Sequence, residues 1–265
     1  MKRRTTRRSV PAVPATEASA IAVLSGGPLP YTLRHSPRAR GLRVVIHPER
    51  GVVVTVPATR AGRTDGERRA VEFLGQREPW VRRHLARHAV VRAELAARGG
   101  ARDGGSIRLE GQVVPIRVVP AVTGARRSTV ARFDDELVIH RADRDKRPDG
   151  AVVEAWLRDL ARTRIDVAIA DHADALGVTP RSITIRDPRS RWGSASQGGR
   201  VSLSWRLVLA PREALETVVI HELAHLRVFG HGPTFWALVA SRRPDHRIWR
   251  RWLHDHATEL HGALE

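Results

Sequence analysis

One segment constrains this chain more than any other: Val218-Val219-Ile220-His221-Glu222-Leu223-Ala224-His225-Leu226, followed by Gly230-His231. It reads as a helix. Pro211 suits a first turn, Glu213 and Glu216 sit near the positive N-terminal end, and Gly230 suits a C-terminal stop. Ile220, Leu223, Ala224 and Leu226 make most of its surface apolar, so the segment must be largely buried, and His221, Glu222 and His225 go in with it. Buried polar groups need partners. His221 and His225 are four residues apart, so their imidazoles project from one face. There they can take adjacent corners of a tetrahedral zinc site, with Glu222 placed to accept a proton from a metal-bound water. His231, six residues past His225 and just beyond Gly230, can return as a third ligand and leave one position open. The competing reading has three core histidines bonded to backbone, with Glu222 at the surface.

A bare H-E-x-x-H arises by chance in roughly one in a hundred chains of this length, so the flanking residues must carry the argument. The composition agrees with them. There is no cysteine among the 265 residues, which excludes disulfides, thiolate nucleophiles and cysteine-held zinc. A transition-metal site must rest on His, Asp and Glu. Imidazole ligation suits zinc and also accepts cobalt or nickel.

No apolar run approaches the roughly 20 residues that span a bilayer. The N-terminus begins Lys2-Arg3-Arg4 but has no continuous apolar stretch behind it, so it does not read as a signal peptide. The expectation is a soluble, cytoplasmic protein without a membrane partner. The net charge of +18 is almost all arginine, the only lysines being Lys2 and Lys146. Whatever its origin, that field attracts polyanions, so nonspecific nucleic-acid binding is a candidate partner interaction. Aromatic residues for base stacking are sparse outside tryptophan, which weakens single-strand binding.

In order, residues 1–25 read as a disordered basic tail. Residues 26–145 read as a β-rich region with helices. Strands are expected at Tyr31 to Arg34, Leu42 to His47 and Val52 to Pro57, the last two as a hairpin, with Arg38, Arg40 and Arg43 giving a basic face. A helical pattern from Gly62 to Arg98 is broken near Pro79. Further strands follow at Ser106 to Leu109, Val113 to Val119 and Val130 to His140, with tight turns at Gly111-Gln112 and Asp134-Asp135. The connector from Arg141 to Gly150 is the expected seam before a domain at 146–265. That domain holds a long helix from Val152 to Leu176 capped by Gly177, strands at Ser182 to Arg186 and Val201 to Leu209, the metal helix, and two last helices separated by Pro244. Trp236, Trp249 and Trp252 read as core. No internal repeat is visible.

The runs Arg189-Ser190-Arg191-Trp192-Gly193-Ser194, Leu203-Ser204-Trp205-Arg206-Leu207, His221-Glu222-Leu223-Ala224-His225-Leu226 and His231-Gly232-Pro233-Thr234-Phe235-Trp236 resemble the YgjP-like metallopeptidase family, which is related to the SprT-like and WLM-type zinc peptidases. The hairpin at 38–57 and Trp80-Val81-Arg82-Arg83-His84-Leu85 resemble its N-terminal part. The resemblance implies an α+β fold whose C-terminal part is a zincin-like core, an HExxH helix packed on a small antiparallel sheet. It implies one Zn2+ per chain on His221, His225 and His231, Glu222 as general base, and a protein or peptide substrate. Arg191, Trp192 and Ser204 are the candidate substrate contacts. Two departures stand out: Ala195 replaces the family's usual Cys, and Ser204 its usual Asn, which removes an amide from a candidate contact.

The chemistry expected is peptide-bond hydrolysis by a metal-activated water. The tetrahedral intermediate needs a further donor, for which Arg191 and His246 are candidates. The strand from Val201 to Trp205 could take an extended substrate by strand addition, or be an ordinary internal strand. The alternatives are a DNA-associated, SprT-like protease, suggested by the basic charge and the kinship, and a nucleic-acid-binding module with a structural zinc.

Overall fold

The computed structural model describes residues 16–47, 50–58 and 62–264. The chain divides into two compact units, Met1–Val90 and Val91–Glu265. Residues 1–15, which carry most of the expected basic tail, lie outside the described residues. Residues 16–24 do not belong to such a tail. They form β1 (Thr16–Leu24), which pairs antiparallel along its whole length with β2 (Gly27–Ser36).

In the first unit β3 (Arg43–His47) and β4 (Gly51–Pro57) form the expected antiparallel hairpin, and β2 pairs parallel to β4, giving the order β1-β2-β4-β3. Alternation decides the buried face: Leu29, Tyr31, Leu33, Val52, Val54 and Val56 point into a core closed by Ala70 and Leu74 of α1 (Gly62–Gly75) and by Val81 of α2 (Glu78–Arg98). The helical stretch breaks at 76–77, just ahead of Pro79, which sits in the first turn of α2 where its missing N–H costs nothing.

Glu78, in that same first turn, fastens the β1–β2 turn. Its carboxylate accepts from Ser25 Oγ at 2.6 Å, Gly26 N at 2.9 Å and Arg82 Nε at 2.7 Å. A Cβ on Gly26 would meet Glu78 Oε1 at 2.8 Å and Arg82 Nε at 2.6 Å, so the turn closes this tightly only with glycine.

The second unit is built around one core. β5 (Ser106–Leu109), β6 (Gln112–Pro120), β7 (Thr129–Phe133) and β8 (Glu136–Arg141) make a mixed sheet of order β5-β6-β8-β7. Its inner residues Ile107, Leu109, Val114, Ile116, Leu137 and Ile139 share that core with α3 (Asp149–Leu176) and the helix at 212–224. The turn after β5 hydrogen-bonds to the segment that precedes that helix, Glu110 N to Val208 O at 2.9 Å and Gly111 N to Leu209 O at 3.0 Å. These shared contacts put residues 91–145 with the C-terminal unit, so the division falls inside α2 and not at the charged connector expected near 145.

The β5–β6 turn is Glu110-Gly111, one residue earlier than expected, with φ of 48° and 86°. Two positive φ values match the right-handed twist of a two-residue hairpin. The stretch from Val130 to His140 is the hairpin β7–β8, turning at Asp134-Asp135 as expected. Gly177 caps α3 in the left-handed conformation as expected.

The remaining strands form a three-stranded sheet, β9 (Ser182–Arg186), β10 (Gly193–Ala195) and β11 (Arg200–Ser204), in the order β10-β11-β9. β10 and β11 are antiparallel and β11 and β9 parallel, so this sheet is mixed where an antiparallel one was expected. β11 is the middle strand and has no edge free for strand addition. It stops at Ser204 because residues 205–209 tighten into a 3-10 turn that buries Trp205, Leu207, Val208 and Leu209, shortening the strand expected to reach Leu209. α4 (Arg212–Ala224), α5 (Pro233–Arg242), α6 (His246–Asp255) and α7 (Ala257–His261) complete the chain. Among the described residues no helix is long and apolar enough to cross a membrane.

The Ser25 hydroxyl, followed by the Arg82 guanidinium, holds the Glu78 carboxyl down to about 2, against an ordinary 4.5. A carboxyl whose folded pKa lies below its unfolded one contributes stability above the unfolded value and loses it as pH falls through the folded value. The first unit is therefore expected to lose stability from about pH 4.5 down to 2, and Glu78→Gln to flatten that stretch of the curve. Thermal unfolding of both proteins across this range checks it, and parallel curves would contradict it.

Candidate metal centre

α4 is the expected helix, and residues 214–220 and 222–224 are all buried. It starts at Pro211, as read from the sequence, but ends at Ala224 with His225 as its C-cap, earlier than a stop at Gly230 implied. His225 keeps αR backbone angles, φ −66° and ψ −18°, so the four-residue spacing still puts His221 and His225 on one face. The chain then turns through Arg227 and Val228, and Gly230, at φ 88°, reverses it. That reversal carries His231 back.

The three imidazoles converge. His231 Nε2 lies 3.2 Å from His225 Nε2 and 3.2 Å from His221 Nε2. One ring nitrogen from each residue falls within 4.8 Å of the others. Tetrahedral zinc–nitrogen bonds of about 2.0–2.1 Å put neighbouring ligand atoms about 3.3–3.4 Å apart, so the spacing fits such an ion.

The proton count points the same way. His225 Nδ1 donates to Val228 O at 3.2 Å, so in the neutral ring Nε2 presents a lone pair to the cluster. Only one of the two 3.2 Å contacts can then be a hydrogen bond. Burial, then the neighbouring imidazoles, push the His221 imidazole down to about 3, and burial also lowers His225. Neutral lone pairs facing a common point are what a cation ligand set requires.

Aromatic rings hold the three imidazoles in place. Phe235, wholly buried, stacks on His225 with ring centres 4.4 Å apart and meets His221 edge-on at 4.9 Å. Trp236 lies 5.7 Å from His221 and 5.6 Å from His231, and stacks on buried His246 at 5.2 Å. Trp236 packs against the core as expected and also against the imidazoles, a contact that His231-Gly232-Pro233-Thr234-Phe235-Trp236 carried only as a family motif. Nothing in residue spacing pointed to Val228 O. His246 stacks on Trp236 and lies close enough to act on the His221 imidazole.

Glu222 is 6% exposed and makes no hydrogen bond or ion pair among the described residues. Burial pushes its carboxyl up to about 7, with the Arg191 guanidinium as the opposing influence. Gly193 of β10 explains how the carboxylate is seated: a Cβ there would lie 2.7 Å from Glu222 Cγ and 2.8 Å from Oε1. The glycine of Arg191-Trp192-Gly193-Ser194 is thus the one residue that lets the sheet edge close on the Glu222 carboxylate.

The three candidate substrate contacts part company. Arg191 is exposed and close enough to act on Glu222. Trp192 is half-buried, its ring stacked on His261 at 5.0 Å. Ser204 is wholly buried, and its hydroxyl accepts from Arg206 N to cap the 3-10 turn. It has a structural role in place of the expected contact with substrate.

The YgjP-like metallopeptidase domain matches residues 40–256. The chain belongs to that family. This YgjP-like chain is also similar to a solved structure, the crystal structure of the metallopeptidase zymogen of Pyrococcus abyssi abylysin, at 23% identity over 36% of this chain and 92% of that one, with a TM-score of 0.30. No curated protein matches it.

Because a ligand that binds only the folded state stabilises it by mass action, micromolar zinc is expected to raise the unfolding temperature of the metal-stripped protein. His225→Ala and His231→Ala are each expected to abolish most of that shift. Differential scanning calorimetry with and without zinc reads it, and an equal shift in both variants would remove the histidines as ligands.

Proposed function

We propose that this chain is a zinc-dependent metallopeptidase of the zincin type, with His221, His225 and His231 as ligands and Glu222 as general base. The observation that carries the reading is the triad of converging nitrogens beside a buried carboxylate that has no protein partner. A structural zinc site has no use for such a carboxylate. Zinc, when bound, supplies Lewis acidity that polarises a peptide carbonyl and acidifies a water molecule.

The residues of the chain do the rest. Glu222 accepts the proton of the attacking water and returns it to the departing amine, a reversible transfer between one carboxylate oxygen and two substrate-side atoms. Val228 O fixes the tautomer and orientation of His225. Gly193 holds β10 against the base, and the free edge of β10 offers main-chain groups to an extended substrate. Arg191 is the cation at the entrance, where it can neutralise charge developing on the substrate oxygen. His231 is the exposed ligand, so the centre opens to solvent on its side.

Glu222→Gln is expected to retain zinc and to lose about 10²–10⁴-fold in kcat on a fluorogenic peptide. Gly193→Ala should lower kcat while zinc affinity stays within a few-fold, because its methyl displaces Glu222 and not the histidines. Wild-type turnover in Glu222→Gln would remove the base from the mechanism.

A further inference from the structure

The open face of the β10-β11-β9 sheet carries a feature that hydrolysis of an arbitrary peptide bond leaves unused. Val201 and Leu203 of β11 and Ile183 and Ile185 of β9 join the core, so the alternate residues face outward. The register sets Thr184, Ser202 and Ser194 side by side across the three strands. Arg186 follows Thr184 along β9, Arg200 precedes Ser202 along β11, and Arg191 lies just ahead of β10. These six residues line one groove, which also includes Gly193. The groove therefore runs up to the glycine against which Glu222 is seated.

Its arginines are unpaired, apart from the influence of Arg191 on Glu222. Arg186, Arg191 and Arg200 are exposed, and none makes an ion pair or side-chain hydrogen bond among the described residues. The one carboxylate in the groove, Asp187, is engaged by Arg206, Nε to Oδ1 at 2.7 Å and Nη2 to Oδ2 at 3.2 Å. Three free guanidinium forks and a row of hydroxyl donors make a surface for carboxylates, which guanidinium binds bidentately. Nucleic acid fits it less well. No aromatic side chain lines the groove, and the neighbouring Trp192 ring is already stacked on His261, so no platform for bases is offered.

We propose that this groove selects acidic substrates: Asp and Glu side chains next to the scissile bond dock on Arg186, Arg191 and Arg200. The proposal rests on the hydrolase reading for its catalytic half and on the groove alone for its binding half, and the two are tested separately. Two fluorogenic peptides, identical except for Asp/Glu against Asn/Gln, are given to the zinc-loaded full chain. The acidic peptide bound to Glu222→Gln is followed by fluorescence anisotropy, with a DNA duplex as competitor.

The acidic peptide is expected to show about tenfold higher kcat/KM at low salt, falling toward parity at high salt. Arg186→Gln/Arg200→Gln should bring that ratio near one. Arg117→Gln, an exposed arginine of β6 outside the groove, should preserve it. Equal kcat/KM for the two peptides overturns the groove and leaves the hydrolase standing. Acidic-peptide binding that needs Arg186 and Arg200, without any cleavage, overturns the hydrolase and supports the groove. Absence of both binding and preference, or tighter binding of the duplex that the double variant abolishes, overturns acidic-peptide selection.

Discussion

Three imidazole nitrogens on the flank of a buried helix, with His231 Nε2 3.2 Å from both His225 Nε2 and His221 Nε2, form an arrangement that protons alone serve poorly. With His225 Nδ1 committed to Val228 O, the neutral cluster can satisfy one of its two 3.2 Å contacts and leaves the other unfavourable. The surroundings hold the arrangement in place all the same. α4 is sunk in the core along nearly its whole length, Phe235 and Trp236 brace the rings, and buried Glu216 pairs with Arg212 of the same helix at 2.6 Å and ties the helix to Arg243 beyond α5. A cation on the three nitrogens would convert the frustrated cluster into a satisfied one, which is the character of a preorganised receptor.

The sheet edge contributes as much as the helix. Glu222 is largely buried and makes no hydrogen bond or ion pair among the described residues, and that burial pushes its carboxyl up to about 7. Gly193 makes the burial possible by giving up its side chain at a 2.7 Å approach. The arginine motif around it thus has two physical parts. Its glycine seats the carboxylate, while Arg191 stays in solvent near enough to influence it. Arg206 belongs to neither part; it clamps Asp187 and the carbonyls of Leu260 and His261, fastening the C-terminal turn to the base of the sheet.

Much of this was legible in the sequence where local chemistry decides the outcome. The H-E-x-x-H spacing, the Gly177 cap, the break ahead of Pro79 and the turn at Asp134-Asp135 all follow from one- to four-residue rules. What escaped depends on tertiary context. The unit boundary sits within α2 because Glu110 and Gly111 bond to Val208 and Leu209, a pairing across about a hundred residues that no local signal announces. Ser204 reads as a candidate substrate contact, yet the 3-10 turn after it makes it a buried cap. β9 looks like an antiparallel partner and runs parallel, since strand direction is set by the connection and not by the strand. The role of Gly193 required knowing what lies on the other side of it.

Zinc-edge X-ray absorption on the purified full chain tests the central claim most directly. The account predicts about one zinc per chain in a shell of three imidazoles at about 2.0–2.1 Å, with the fourth scatterer a light atom from solvent that exchanges with added azide. A shell closed by four protein ligands and inert to azide would make the metal structural. A chain that takes up no zinc would contradict the convergence of His221, His225 and His231 on which the account stands.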